Sequence, residues 1–373
     1  MKHSRKVIYN IEIKIILLCL YLHQFSCIPI MNNSVTLRDI AKALNISAST
    51  VSRALTDNYQ IGSETKKKVL AYAKQHHYIP NRMARGLKEG KSRSIGVVVF
   101  AIDNSFVSQM LHGIEKFYTE KGYQIIIMQS KESYEQEIAC IDLLYAGGID
   151  GLLISPSYQT TSFEYLKDLQ SAGLPIVLFD RLSDGINTHK VAADHFNGAY
   201  QATQHLIECG FKAIAHINSN TKLNMATARF EGYKKALTDA GLPIINDLIK
   251  FFDTTNLTIL NENLEIAIQE LMNLKEKPDA IFTATDSLTT RCLILLKQMK
   301  YSIPNDVALV GFSNTDLAEA LSPPLSTIYQ PAFEIGRLAA EKLLSLINSK
   351  NSEPFETLLL TTELQKRDST LKQ

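Results

Sequence analysis

The signatures of catalysis are missing from this chain of 373 residues. There is no Gly-rich phosphate loop of the Walker or dinucleotide type, no nucleophile elbow, and no cluster with metal-ligand spacing. The five cysteines (Cys19, Cys27, Cys140, Cys209, Cys292) are scattered, with no CxxC pair and no disulfide framework, which fits a reducing cytoplasm. The nine histidines are dispersed. His195 and His205 could be gathered around an aspartate, but any chain this long permits such pairings, and His76-His77 falls at a helix end where solvent exposure is the default. No internal repeat stands out. The expectation is a non-enzyme with no cofactor and no metal site. The hydrophobic content of 45% supports folded cores rather than disorder, and the length leaves room for two or three domains.

Net charge is almost absent too, at +1, but that total hides a division. Residues 32–93 hold twelve Lys/Arg against four Asp/Glu, a surplus of eight positive charges. Residues 1–31 hold four against one, so residues 94–373 carry a deficit of ten. A small basic head on an acidic body is the pattern of a DNA-binding module attached to a regulatory domain. A charge run by itself is commonly only a solvated face, so the pattern needs a structural partner.

That partner is the stretch Thr36–Leu55, TLRDIAKALNISASTVSRAL. Leu37, Ile40, Ala41 and Leu44 share a helical face, Asn45-Ile46-Ser47 interrupts it, and Val51, Ala54 and Leu55 point a second helix inward. Asn tolerates the left-handed backbone that a sharp turn can require. Thr36 followed by Asp39 approximates a capping box. The outer face of the second helix shows Ala48, Ser49, Ser52 and Arg53, small or polar apart from one guanidinium. Such a pair reads as a helix-turn-helix whose second helix can reach base edges in the major groove, or as an ordinary surface hairpin. After a polar loop at 56–60 comes a third helix over Ser63–His76. Ser63 can cap it, Glu64 favours its N-terminal dipole, and Val69, Leu70 and Ala73 face inward. Lys66–Lys68 read as a solvated face with some phosphate contact. A short basic segment, Tyr78–Lys88, follows.

Two further regions complete the reading. Lys2, Arg5, Lys6 and Lys14 precede the apolar run Ile15–Leu22, which has a signal-peptide shape but is short for a membrane span. It is an export signal, a tether, or translated upstream sequence ahead of a start at Met31. The third is expected, because Met31 stands just before the first helix signal. From Ser94 onward, near-continuous apolar runs of strand length (95–100, 123–129, 150–155, 174–180, then 211–217, 248–252, 279–285, 306–312 and 357–364) alternate with helical segments, as buried parallel strands do. That body is too long for one open sheet and divides near residue 195. Ligands of such sheets sit beyond the carboxyl ends of the strands, which nominates Asp103, Asn104, Phe106, Asp180-Arg181, Arg229, Asp253-Thr254, Thr285-Asp286, Ser313-Asn314 and Gln330. Each has a plainer reading as turn or cap chemistry, and for Asp286 an N-cap role weighs equally with ligand contact.

Thr36 through Leu87, including TVSRAL (50–55) and YIPNRMARGL (78–87), resembles the headpiece and hinge of the lac repressor/galactose repressor family of bacterial transcription regulators, and the likeness continues through the body. The resemblance implies an all-α helix-turn-helix headpiece on an α/β body of two doubly wound parallel-sheet lobes, joined by three crossovers and resembling periplasmic sugar-binding proteins. It also implies domains at 1–31 (the extension), 32–78 (headpiece), 79–93 (hinge helix and linker), 94–195 plus 328–355 (N-terminal lobe) and 196–327 plus 356–373 (C-terminal lobe). The DNA-contact set is then Thr36, Leu37, Ser47, Ala48, Ser49, Thr50, Ser52, Arg53, Tyr78, Asn81 and Leu87. Leu87 matches the family's minor-groove wedge, where a residue-only reading would leave it a packed linker residue. The effector set is Asn104, Phe106, Asp180, Arg229, Thr254, Thr285, Asp286, Ser313 and Gln330. Arg229 matches the family's effector-contacting arginine, and Ser313 stands where the family commonly has an acid. The implied protein is a cytoplasmic homodimer with no membrane association. It binds a pseudo-palindromic operator in double-stranded DNA under control of a small carbohydrate effector. The competing reading takes the N-terminal apolar run at face value and makes the chain an exported or membrane-held sugar-binding protein.

Overall fold

A computed structural model describes residues 35–55, 59–78, 91–219, 223–254, 257–349 and 354–371. It divides into two units, Met1–Arg85 and Gly86–Gln373. The expected extension at 1–31 lies outside the described residues, as do residues 79–90 of the expected hinge and linker (79–93), with Asn81 and Leu87.

In the first unit, α1 (Leu37–Leu44), α2 (Ala48–Leu55) and α3 (Ser63–Gln75) enclose a small core of Ile40, Ala41, Val51, Ala54, Val69 and Ala73. Thr36 and Asp39 form the reciprocal capping box: the Asp39 carboxylate accepts from the Thr36 N–H at 2.8 Å, and the Asp39 N–H donates to Thr36 Oγ1 at 3.3 Å. Asn45 ends α1 in the left-handed conformation at φ 52°, which turns the chain into α2. Two expectations fail in α3. Gly62 occupies the cap position and Ser63 is already helical, so no side chain caps that helix. Leu70 is 52% exposed, because Val69 and Ala73 already fill the narrow contact with α1 and α2.

The second unit contains two six-stranded sheets. The first holds β1 (Ser94–Val99), β2 (Gln124–Gln129), β3 (Gly151–Ile154), β4 (Ile176–Phe179), β5 (His189–Ala193) and β11 (Thr357–Leu360). Their order is β2-β1-β3-β4-β5-β11, parallel throughout. The second holds β6 (Ile214–Ser219), β7 (Ile249–Phe252), β8 (Ala280–Thr283), β9 (Ala308–Phe312), β10 (Ser326–Tyr329) and β12 (Glu363–Gln365). Their order is β7-β6-β8-β9-β10-β12, with β12 alone antiparallel. The connecting helices are α4 (Ser105–Glu120), α5 (Tyr134–Ala146), α6 (Glu164–Ser171), α7 (His195–Glu208), α8 (Asn224–Asp239), α9 (Leu257–Asn273), α10 (Asp286–Gln298) and α11 (Ala332–Asn348). Each sheet is covered on both faces by its own apolar clusters, which explains the unbroken hydrophobic runs.

The expected lobe boundaries need two corrections. Residues 328–329 belong to β10 in the second sheet, and Thr357–Leu360 adds to the first sheet beside β5. The chain therefore crosses between sheets after β5, after β10 and after β11. The apolar run expected as one strand at 357–364 is two strands in different sheets, separated at Thr361-Thr362. The short, partly polar strands β5 and β10 carried no apolar run to announce them. Helix α11 packs on the first sheet and on α4 through a glycine contact. A Cβ on Gly336 would stand 2.0 Å from the Met110 carbonyl, and one on Gly113 would stand 2.1 Å from the Phe333 carbonyl. Only glycine at both positions lets these backbones approach so closely.

Candidate functional site

Ser47 organises the start of α2. Its hydroxyl accepts from the Thr50 N–H at 3.1 Å and lies 2.8 Å from both Ser49 Oγ and Thr50 Oγ1. The helix thus starts at a fixed residue and carries Ser49 and Arg53 exposed on one side, with Val51 and Ala54 buried on the other. Ala48, Thr50 and Ser52 are half-buried between these faces. Thr36 lies at the exposed start of α1 and Leu37 is half-buried against the core. Tyr78 packs against the same core, and that burial raises its phenol pKa. Helix α2 therefore offers short hydroxyls and one guanidinium, groups that can meet base edges and phosphates.

In the body, both sheets direct their carboxyl ends at a single cleft of about 730 Å³, within the range of small-molecule sites. Eight of the nine residues of the effector set line it, Asn104 and Phe106 after β1, Asp180 after β4, Arg229 on α8, Thr254 after β7, Thr285 and Asp286 after β8, and Gln330 after β10, and so do the nominated Asp103 and Arg181. Ser313 stands behind the wall, where its hydroxyl donates to the Asp286 carboxylate. A carboxyl therefore stands beside position 313, where the family resemblance leads one to look for an acid, and it comes from the neighbouring strand end. Thr285 is the N-cap of α10, accepting from the Leu288 N–H at 3.3 Å, which settles the cap role away from Asp286. Burial raises the Asp286 carboxyl pKa, and the Ser313 hydroxyl partly offsets this. Asn104 caps α4 through the Val107 N–H at 2.9 Å.

Arg229 is more deeply buried than Arg181, the other buried arginine of the cleft. It is 2% exposed, and its guanidinium carbon stands over the Phe312 ring at 3.8 Å from the ring centre. One terminal nitrogen donates to the Ala284 carbonyl; the other donates to Gln330 Oε1 at 2.9 Å and to His195 Nδ1 at 3.0 Å. A guanidinium only donates, so His195 Nδ1 must be the acceptor and the ring is neutral. Burial, reinforced by the Arg229 charge, holds the His195 pKa well below its ordinary value. Burial also pulls the Arg229 pKa down to about 9, so the group is still a cation at neutral pH. Asp180 acts on it through space, and Arg229 Nε is buried with no partner among the described residues. A buried, incompletely satisfied cation facing a cleft is a group waiting for an acceptor.

Asp180 adopts φ 63°, a left-handed turn that aspartate tolerates, and its carboxylate accepts from Ser155 Oγ at 3.0 Å. Burial raises its pKa against the pull of Arg181, Ser155 and Arg229. Residues the sequence did not nominate also line the cleft: Phe100, Gln129, Lys131, Glu132, Met225, Ser287 and Arg291. Gln129 ends β2 and Lys131 and Glu132 follow it; the strand was expected, so its carboxyl end was the available signal. His195 and His205 are not a pair. Both lie on α7, ten residues or about 15 Å apart, and His205 Nε2 is 2.8 Å from Thr370 Oγ1. Among the described residues no group of side chains could hold a metal ion, and no helix is long and apolar enough to cross a membrane.

Comparison with known proteins gives the same division. Residues 36–81 match the model of bacterial regulatory proteins of the lacI family, and residues 203–370 match that of a periplasmic binding protein-like domain. Catabolite control protein A of Priestia megaterium is 30% identical over 338 residues, covering 90% of this chain and 99% of that protein. The ribose operon repressor of Haemophilus influenzae is 31% identical over 337 residues, covering 90% and 98%. Among solved structures, a transcriptional regulator CelR–cellobiose complex aligns with a TM-score of 0.67 at 27% identity, covering 90% of this chain and 99% of that one. A lac repressor dimer bound to operator and the anti-inducer ONPF aligns with a TM-score of 0.78 at 23% identity, covering 91% and 100%, a likeness of fold.

Proposed function

The chain belongs to the lacI family of bacterial regulatory proteins, and we propose that it is a transcription regulator whose operator affinity is set by a carbohydrate held in the body cleft. The observation that carries this reading is Arg229, a buried cation short of acceptors at the meeting point of two sheets. A sugar offers hydroxyl oxygens to such a group, and Phe106 offers it an apolar face. The CelR neighbour is a complex with cellobiose, and the relatives are named as repressors and a control protein rather than enzymes. In this reading Ala48, Ser49 and Arg53 read base edges, while Thr36, Ser47, Thr50 and Asn81 position the DNA backbone. Leu37, Ser52 and Tyr78 support that face, and Leu87 is the minor-groove wedge. Ligand contact with both lobes shifts the population of lobe arrangements, and with it the state able to engage an operator.

A homodimer fits the two equivalent sheet edges. On β2 the adjacent residues Ile126 and Ile127 are each 42% exposed although they point to opposite faces, and Phe251 is exposed on the matching edge strand β7. A cytoplasmic location fits the free thiols of Cys140, Cys209 and Cys292. The test is to select operator fragments from genomic DNA with the full chain and titrate the complexes with a sugar panel. A sugar that alters operator affinity, through a response lost in Arg229→Ala while the variant still binds operator, is the expected result. Sugar binding measured by calorimetry that is unchanged in Arg229→Ala would move the effector site elsewhere.

A further inference from the structure

The cleft contains a second arginine, Arg181, whose two terminal nitrogens are already paired with a carboxylate. Arg181 Nη1 and Nη2 donate to the two oxygens of Glu132, each at 2.7 Å, in a parallel two-bond fork. Nη1 also donates to the Pro156 carbonyl at 3.1 Å, and the guanidinium lies on Phe100 at 3.6 Å. Glu132 is fixed from the other side, where its Oε2 accepts from the Tyr158 N–H at 2.9 Å. Lys131 and Glu132 are consecutive non-glycine residues at φ 49° and 63°. A backbone of this kind persists only where surrounding contacts determine it, and such sites cluster at ligand clamps. The pair is therefore built into the cleft wall and differs from a mobile surface contact.

We infer that Glu132 is a specificity-determining residue. It fills the Nη1/Nη2 fork of Arg181, whose Nε is buried with no partner among the described residues, so that this end of the cleft receives neutral hydroxylated ligands and turns away phosphates and carboxylates. An anion entering there meets a planar fork already filled and a carboxylate of its own sign. Arg229 cannot take over that role with the same geometry, because both of its terminal nitrogens already donate inward. The described residues of the cleft wall include four basic and four acidic side chains, so loss of the Glu132 charge tips that set to net cationic with an open guanidinium fork. The inference rests on the reading of the cleft as the effector site.

The experiment compares wild type, Glu132→Gln and the double variant Glu132→Gln/Arg181→Ala. Each full-length protein is titrated calorimetrically with inorganic phosphate, glucose 6-phosphate and glucose, and its operator affinity is measured with and without each probe. Glu132→Gln should bind phosphate at least tenfold more tightly than wild type, and the double variant should lose that gain. A merely structural role for Glu132 would not reverse charge preference in this way. Equal phosphate affinity in wild type and a folded Glu132→Gln overturns the inference, as does a gain that survives in the double variant. The wild type supplies a check that needs no Glu132 variant to fold: tight phosphate binding that Arg181→Ala abolishes also overturns it. Phosphate gain without any change in operator affinity keeps the clamp and removes the effector reading. A wild type that answers to sugars beside a Glu132→Gln that gains nothing does the reverse.

Discussion

Gln109 and Asn314 join the two lobes. Asn314 Nδ2 donates to Gln109 Oε1 at 2.8 Å, and Gln109 Nε2 donates back to the Asn314 carbonyl at 3.3 Å. Gln109 lies on α4 beside the first sheet, while Asn314 follows β9 of the second and is held there by the Gln330 main chain. The neighbouring Gln330 side chain accepts from Arg229. The lobe contact is thus two residues removed from the most buried cation of the cleft. Gln109→Ala removes the bridge and leaves Asn314 anchored. The loss of such a hydrogen-bond pair is about 1 kcal/mol. Because the bridge holds the two cleft walls together, sugar affinity should fall by about fivefold. Calorimetry with any sugar that alters operator binding checks this, and unchanged affinity would deny the bridge a part in ligand closure.

Arg53 stands exposed on the outer face of α2. Arg53→Ala should relax base preference at one position in each half-site, at a cost of about 1–3 kcal/mol of discrimination. Binding to a set of single-base operator variants measures it. A uniform loss across all sequences would assign Arg53 to phosphate contact instead.

His216 is held neutral by burial where a surface histidine would take up a proton. It is stacked between Tyr233, at 4.7 Å, and Phe282, at 4.8 Å, and its Nδ1–H donates to the Phe282 carbonyl at 3.2 Å. Burial pushes its pKa from 6.5 down to about 3. The folded ring stays neutral while the unfolded one takes a proton below pH 6.5. The contribution is therefore intact above that pH and is lost as pH falls from 6.5 toward 3. Between pH 7 and pH 5 the loss is about 2 kcal/mol. His216→Phe keeps the ring stack and removes this dependence, so its urea-unfolding free energy should fall less over the same interval by that amount. Parallel pH profiles for the two proteins would contradict the assignment.

The α4–α11 contact predicts a packing defect. Gly336→Ala would place a methyl 2.0 Å from the Met110 carbonyl, which the backbone cannot relieve without shifting a helix. The expected cost is about 1–3 kcal/mol, as for other overpacked interiors. Thermal melting of the variant reads it. Gly62→Ala, whose added methyl would meet nothing within 4 Å, serves as the tolerant control.

The headpiece was legible because its instructions are local. The Thr36–Asp39 box, the left-handed Asn45 and the helical spacing of Ile40, Val51 and Ala54 act over a few residues, and the charge surplus of 32–93 needs no structure to count. The apolar strands of the body were legible for a similar reason, since burial on both faces leaves an unbroken run. Proximity across hundreds of residues was not. Ser313 meets Asp286 over 27 positions, Arg229 meets Gln330 over 101, and Gln109 meets Asn314 over 205. Strand ends nominated the cleft residues one at a time, but nothing in the chain pairs both terminal nitrogens of Arg181 with Glu132 while turning those of Arg229 to Ala284, Gln330 and His195. Composition and periodicity determined the elements and the sign of the head. The two sheets, brought together by three crossings of the chain, decided which polar groups neutralise each other and which still face a ligand. Hydrogen bonding and charge pairing depend on separations of a few ångströms, and only the folded chain sets them.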